Sequence, residues 1–401
     1  MREVAIIGVG MHKFGKFPNE SLKDLGRVAV WNAIHDANIE AHDIQTAYVG
    51  NAGAGLLTGQ ECVRGQVILN DACIFSVPVT NVEGACASGL IALREAWIAV
   101  GSGMYDVALA LGVEKMYIDD TAKVLQVLGA GTDMESVGSI GYQFSGGYAQ
   151  GIQQNMRRYG WTREDLALVA VKNKYNGARN PYAQFQKETT VEEVLNSRVV
   201  AYPVTIFMTA PIGDGAAAAI ICPKEMASKF TSKPPIIIKA MAMHSPGFRD
   251  YRLPPREPDT TKREVSSLSA REAYETVGIG PDDVELAEVH DAMTPAELST
   301  YASLGFCKPG EGNILVREGR TSLTGDIPVN TSGGLSARGH PIGATGLAQA
   351  AEIVWQLRGE AGPRQIPGKS GKGPRIGLIE NNGGTVGSGA AVSTVSIFMR
   401  D

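Results

Sequence analysis

Three short stretches of this 401-residue chain recur later in it, in the same order. Ile39–Val49 (IEAHDIQTAYV) matches Ile279–Val289 (IGPDDVELAEV) at an offset of 240 (279 against 39). Val77–Asn81 (VPVTN) matches Ile327–Thr331 (IPVNT) at 250 (327 against 77), and Gly215–Ala219 matches Gly389–Ser393 at 174 (389 against 215). Two similar halves produce this series if the first carries about 76 extra residues (250 against 174) ahead of its last strands. Within each half, helical spacing alternates with short β-branched runs. Strands are expected at Val4–Ile7, Ala47–Val49 and Val107–Leu111, and helices at Leu22–Ala37 and Ala87–Val100. The second half repeats the scheme with Ile236–Ile238, Ser267–Val277, Leu286–Val289, Gly343–Leu357 and Ile376–Ile379. Such alternation predicts an α/β layered fold.

The halves divide near Lys233-Pro234-Pro235, where two prolines interrupt helix and central strand alike. Residues 1–115 with 204–233 are expected to form the N-terminal half, 234–401 the C-terminal half, and 116–203 an insertion. The insertion reads as mainly helical, with Tyr148–Tyr159 in one helix and Thr162 capping the next, Asp165 standing three residues on.

Several function classes are excluded. Thirty-seven Lys and Arg against 42 Asp and Glu leave a net charge of −5, without the basic stripe that a nucleic-acid backbone demands. Five scattered cysteines contain no CxxC pair and fit neither a zinc ribbon nor a disulfide framework. The six histidines show no metal-binding spacing, so no metal site is expected. Gly8-Val-Gly10 follows the first strand, but Lys13 stands where a dinucleotide fingerprint needs its third glycine. The N-terminus lacks a signal-peptide pattern, and no apolar run approaches the roughly 18 residues of a membrane span. The expectation is a cytoplasmic protein with no membrane association.

Candidate chemistry gathers at three turns. Asn81–Gly89 (NVEGACASG) places Cys86 between an extended run and an apolar helix, where the helix dipole favours a thiolate. A small buried cysteine is the alternative at that position. Asn330–Gly346 (NTSGGLSARGHPIGATG) holds five glycines in seventeen residues and sets His340 beside a helix start. A two-fold relation of the halves would bring His340 to Cys86, the thiol–imidazole pair of nucleophilic catalysis. The third group joins His290, in Glu288–Asp291, with the turn Glu380–Gly387 (ENNGGTVG). Both follow strand patterns, where α/β layers bind ligands, and glycine-rich turns there expose N–H groups to an oxyanion.

Taken together, Glu83–Gly89 (EGACASG), Gly112–Met116 (GVEKM), Asp214–Ala218 (DGAAA) and Gly339–Gly346 (GHPIGATG) resemble the signature segments of thiolases, over essentially the whole chain. Val289-His290-Asp291 resembles the sterol-carrier and archaeal-type branch of that family. The resemblance implies duplicated βαβαβαββ halves in five α/β/α/β/α layers, an insertion over the active site, and a dimer. It implies an acyltransferase that cleaves 3-ketoacyl-CoA, with coenzyme A as co-substrate and no permanently bound cofactor. Cys86 would be the nucleophile, His340 would accept its proton, and His290 would complete an oxyanion hole. The backbone N–H groups of Cys86 and Gly383 would form a second one.

Two departures stand out. The family's second cysteine, which serves C2 of the substrate, is replaced by Asn381, so the proton must come from His340, His290, Glu380 or water; a histidine is favoured for its pKa near 6.5. Ala292-Met293 replaces the branch's usual Cys-Phe, and flexible Met293, with Glu380 nearby, suggests a pocket for a bulky or aromatic chain of benzoylsuccinyl-CoA type. The alternatives are an acetoacetyl-CoA thiolase, a ketoacyl-synthase-like condensing enzyme, or a non-catalytic acyl-CoA-binding scaffold. A small zinc-ribbon/OB-fold partner subunit is a further expectation from the branch.

Overall fold

The computed structural model of the protein describes residues 1–246, 264–387 and 389–401. Residues 247–263 of the expected C-terminal half, and Ser388, lie outside the described residues. The first half runs β1 (Val4–Met11), α1 (Leu22–Ala37), β2 (Thr46–Gly50), α2 (Ala54–Thr58), α3 (Arg64–Asp71), β3 (Val79–Val82), α4 (Ser88–Gly101) and β4 (Ala108–Glu114). Four helices follow: α5 (Thr121–Gly129), α6 (Phe144–Tyr159), α7 (Arg163–Gly177) and α8 (Val191–Asn196). A small hairpin of β5 (Val199–Ala201) and β6 (Val204–Thr205) leads to β7 (Gly215–Pro223) and α9 (Ala227–Phe230). The second half contains β8 (Ile236–His244), α10 (Val265–Val277), β9 (Leu286–Glu288), α11 (Glu297–Ser303), α12 (Gly312–Arg317) and α13 (Gly334–Arg338). It closes with α14 (Thr345–Arg358), β10 (Ile376–Val386) and β11 (Gly389–Arg400).

The strand order makes the duplication explicit. The nine strands form one continuous sheet in the order β3-β2-β4-β7-β1-β8-β11-β10-β9, the first five from the first half and the last four from the second, with β1 and β8 paired antiparallel where the two parts of the sheet meet. In the first half Ala47 of β2 faces Val79 of β3 in parallel, and in the second Ala287 of β9 faces Val329 in a parallel bridge. Those two pairs are related by the same offsets, 240 and 250, that relate the sequence matches. The last strands also correspond, since β7 runs antiparallel to β1 as β11 does to β8.

The central strands β1, β4 and β7 are buried on both faces and read as continuous apolar runs, whereas the edge strand β3 is partly exposed. Ala216 and Ala218 of β7 join Leu25 and Ala29 of α1 in one core, while Ala217 and Ala219 join Leu90 of α4 and Leu347 of α14 in another. Helix α10 covers the far side of the second part of the sheet through Ala270 and Ala273. The layers are therefore α1 and α3, the first part of the sheet, α4 with α14, the second part of the sheet, and α10. Glycines of the discarded fingerprint have a packing role here, for a Cβ on Gly10 would lie 2.3 Å from the Ala29 carbonyl oxygen. Helix α1 starts at a reciprocal cap in which Ser21 and Asp24 satisfy each other's backbone N–H. Helix α7 starts the same way at Thr162 and Asp165, and Asp165 also accepts from Arg317 of α12. Helices α6, α7 and α8 bury Ile152, Leu166 and Val194 in one cluster with Met293 and Leu298, which ties them to the second half. Among the described residues, no helix is long and apolar enough to cross a membrane.

Candidate active site

Helices α4 and α14 occupy the central layer and begin side by side, which draws the turns before them together. In the first turn Ala85 takes a left-handed conformation (φ 50°), which costs a non-glycine residue roughly 1–3 kcal/mol. The turn is held by the Ser88 hydroxyl, which accepts from Gly84 N–H and donates to the Ala85 carbonyl, and by Glu83, which accepts from Ala85 N–H. Cys86 projects from this turn into the cleft.

The second turn is anchored by Glu114, at the end of β4. Its buried carboxylate accepts N–H groups from Ala52, Gly53 and Ala54 of one loop and from Gly343 of the other. Within that anchored loop, His340 Nε2 lies 3.3 Å from Cys86 Sγ. Its Nδ1 lies 2.7 Å from the Thr345 hydroxyl, which donates its only proton to the Pro341 carbonyl. Thr345 must therefore accept from Nδ1–H, and this leaves the Nε2 lone pair facing the thiol. Burial holds His340 well below the usual histidine range, with His290 and Arg338 adding to the effect, so the imidazole is neutral.

The expectation that the helix dipole would favour a thiolate is corrected. Burial pushes the Cys86 thiol up to about 12, and the Glu114 carboxylate adds to it. Backbone N–H groups of Gly384 and of Cys86 itself oppose the shift without overcoming it. The resting pair is a thiol hydrogen-bonded to a neutral imidazole. His290, just past β9, sets its ring 5.1 Å from that of His340 in an edge-on arrangement. Burial lowers it to about 4, and its Nδ1 is buried with no hydrogen-bond partner among the described residues. One ligand-capable atom from each of Cys86, His290 and His340 lies within 4.8 Å of the others, close enough to chelate a soft cation.

Residues of the third turn sit differently from the sequence expectation. The N–H facing the Cys86 sulfur is that of Gly384 rather than Gly383, which packs against the Gly84 carbonyl. Asn381 donates to Gln349 Oε1 instead of entering the cleft, and its Oδ1 has no partner among the described residues. Glu380 is fully buried behind His290, where it accepts His290 N–H at 2.9 Å and hydrogen bonds from Ser266 and Asn382. It is therefore no pocket residue, and Glu264 and Asn382 line the cleft there. Burial raises Glu380 to about 7 against these hydrogen bonds. Met293 does line the cleft, beside Ala292.

The cleft encloses about 1590 Å³, bounded on the α6 side by Phe144, Tyr148 and Ile152. Sequence reading missed Thr345, Glu114 and Tyr148. The first two lie inside the quoted GHPIGATG and GVEKM blocks, where their hydrogen-bonding types were the available signal. Tyr148 had none beyond its place in a helix.

Comparison with known proteins gives a consistent match. The thiolase N-terminal domain matches residues 4–225, and the thiolase C-terminal domain-like family matches residues 250–397. The chain is similar to an acetyl-CoA acetyltransferase of Methanothermobacter thermautotrophicus, 43% identical over all of both chains. It is also similar to the benzoylsuccinyl-CoA thiolase subunit BbsB of Thauera aromatica, 37% identical over 96% of this chain and 95% of the other. Among solved structures, the Ltp2-ChsH2(DUF35) aldolase superposes with a TM-score of 0.78 at 23% identity, covering 100% of this chain and 98% of that one, a likeness of fold.

Proposed function

This chain belongs to the thiolase family and is an acyltransferase, and from that premise we propose that it cleaves a 3-ketoacyl-CoA with CoA through an acyl-Cys86 intermediate. The observation that carries this reading is the 3.3 Å contact of Cys86 Sγ with a His340 Nε2 whose lone pair Thr345 leaves free. His340 takes the thiol proton as the sulfur attacks C3 of the substrate, so charge develops only when substrate is in place. The C2–C3 bond then breaks, and its electrons pass to the thioester oxygen of the departing enolate. His340, now carrying the proton on Nε2, and His290 are the donors for that oxygen. The N–H groups of Cys86 and Gly384 serve the carbonyl oxygen of the acyl-enzyme, which the CoA thiol then resolves.

CoA acts as co-substrate, without a permanently bound cofactor. Lys16, Lys187 and Arg198 on the cleft wall offer cations for its phosphates. Residues 116–203 act as a cap that shields the intermediate from water. Met293 lines the cleft, and its flexible thioether supports a bulky or aromatic acyl chain. The likeness to a benzoylsuccinyl-CoA thiolase subunit supports the same reading. A four-carbon substrate is the second reading, favoured by the 43% identity to an acetyl-CoA acetyltransferase.

The edge strand β3, with exposed Val63 and Phe75 beside it, fits a homodimer. The name of the aldolase of similar fold includes a DUF35 component, and a small subunit of that kind is the partner proposed here. One experiment tests the chemistry. Cys86→Ala should fold normally and lose thiolysis by at least about a thousandfold, while the parent enzyme gains one acyl mass on Cys86. Near-normal turnover in that variant removes the mechanism. Relative kcat/KM for acetoacetyl-CoA and benzoylsuccinyl-CoA decides between the two substrate readings.

A further inference from the structure

The proposed reaction needs a proton at C2 when the C2–C3 bond breaks, and the nearby turns do not supply one. Asn381 is turned to Gln349, Ala292 has nothing to give, and Glu380 lies off the cleft wall with its oxygens occupied. His340 is engaged with the Cys86 proton and Thr345, and His290, the other histidine expected from the sequence to deliver this proton, is the donor to the thioester oxygen in the proposed reaction.

Tyr148 stands on the same cleft wall as Cys86, His290 and Met293, carried there by α6. Its ring packs on the apolar cluster that includes Ile152, Val289 and Met293, which steadies the side chain. Its hydroxyl makes no hydrogen bond to a described residue. Glu264, Ala292 and His340 line the same cleft, so the hydroxyl shares its wall with the reactive groups. An unengaged hydroxyl on the cleft wall that also carries the nucleophile is placed to meet a substrate atom.

We infer that Tyr148 is the acid–base residue of this reaction, protonating C2 and then deprotonating the CoA thiol, an assignment that rests on the thiolase reading. In the first half, the Cys86 proton passes to His340 Nε2, the sulfur bonds to C3 and the C2–C3 bond breaks. The electron pair left on C2 takes the Tyr148 proton, which releases the shortened acyl-CoA and leaves a phenolate. In the second half, the CoA sulfur bonds to the acyl carbon as its proton passes to the Tyr148 phenolate. The Cys86 sulfur leaves and recovers its proton from His340. Every proton returns to its origin. Burial raises the phenol, so it is protonated at neutral pH, and its phenolate is basic enough to take a thiol proton.

The test uses acetyl-CoA and the full-length protein. Acetyl labelling of Cys86 is followed by mass spectrometry, and exchange of the acetyl-CoA methyl protons in deuterated water by NMR. Tyr148→Phe removes one oxygen and no hydrogen bond, so the fold should persist. The variant should still acquire the label at equilibrium, while methyl exchange falls about 100- to 10,000-fold, the usual contribution of a positioned acid–base group. Tyr142→Phe should change exchange less than about threefold. Exchange within about threefold of the parent in Tyr148→Phe overturns the assignment, and so does a parallel fall of label and exchange, which would indicate a structural role. Loss of exchange in Glu264→Gln with Tyr148→Phe intact gives the role to that carboxylate. A parent enzyme that takes no label removes the thiolase reading and this assignment with it.

Discussion

At Glu380, burial and hydrogen bonding oppose each other, and burial is stronger. Three donors hold the carboxylate, yet its pKa rises from 4.5 to about 7. Between those values the unfolded chain releases a proton that the folded chain keeps, so stability falls as pH rises through the window. The loss amounts to about 3 kcal/mol at roughly 1.4 kcal/mol per pKa unit. Glu380→Gln keeps an acceptor for His290 N–H and removes the titration. Its stability relative to the parent should therefore improve between pH 4.5 and pH 7.5 by about that amount, as measured by urea unfolding at the two pH values. An unchanged difference between variant and parent would mean that Glu380 is ionised in the folded protein. The same contest governs Cys86, where burial outweighs the backbone N–H groups of Gly384 and of Cys86 itself. Residue types at this site were legible in the sequence, but their protonation states were not, because desolvation depends on neighbours hundreds of residues away.

Helices α4 and α14 bring the two reactive turns together, and they do so by close approach. A Cβ on Gly346 would fall 2.6 Å from both the nitrogen and the Cβ of Leu90, atoms that cannot yield without moving the helix. Gly346→Ala should cost about 1–3 kcal/mol by overpacking and part the helices at their starts. The Cys86–His340 contact is the first to suffer, so kcat for thiolysis should drop more than KM rises; a variant with normal kcat and normal stability would refute the link. Both helices are legible as apolar periods, and the helical spacing of Leu22–Ala37 matches the bounds of α1, whereas its cap at Ser21 and Asp24 is seen only in the structure. The short helices α11, α12 and α13 are not legible. Gly334–Arg338 is buried at every residue, so it carries no amphipathic period to read.

Over the whole molecule, the duplication decides the layering and leaves β3 as an exposed edge. Val63 and Phe75, 55% and 60% exposed, lie on the segments leading into and out of α3, next to that edge. If two copies pair there, the double variant Val63→Glu, Phe75→Glu should sediment as a monomer while the parent sediments as a dimer, with folding unaffected because both side chains are already in solvent. A dimeric double variant would place the contact elsewhere. The sequence by itself determined the repeat, the alternation of helix and strand, and the presence of a thiol and two imidazoles at turns after strands. These follow from period and spacing, which a chain records locally. Tertiary structure alone decided that Gly384 rather than Gly383 faces the sulfur, that Glu380 turns behind His290, and that Tyr148 enters the cleft. Such directions depend on strand register and on helix approach across the two halves, and no local pattern encodes them.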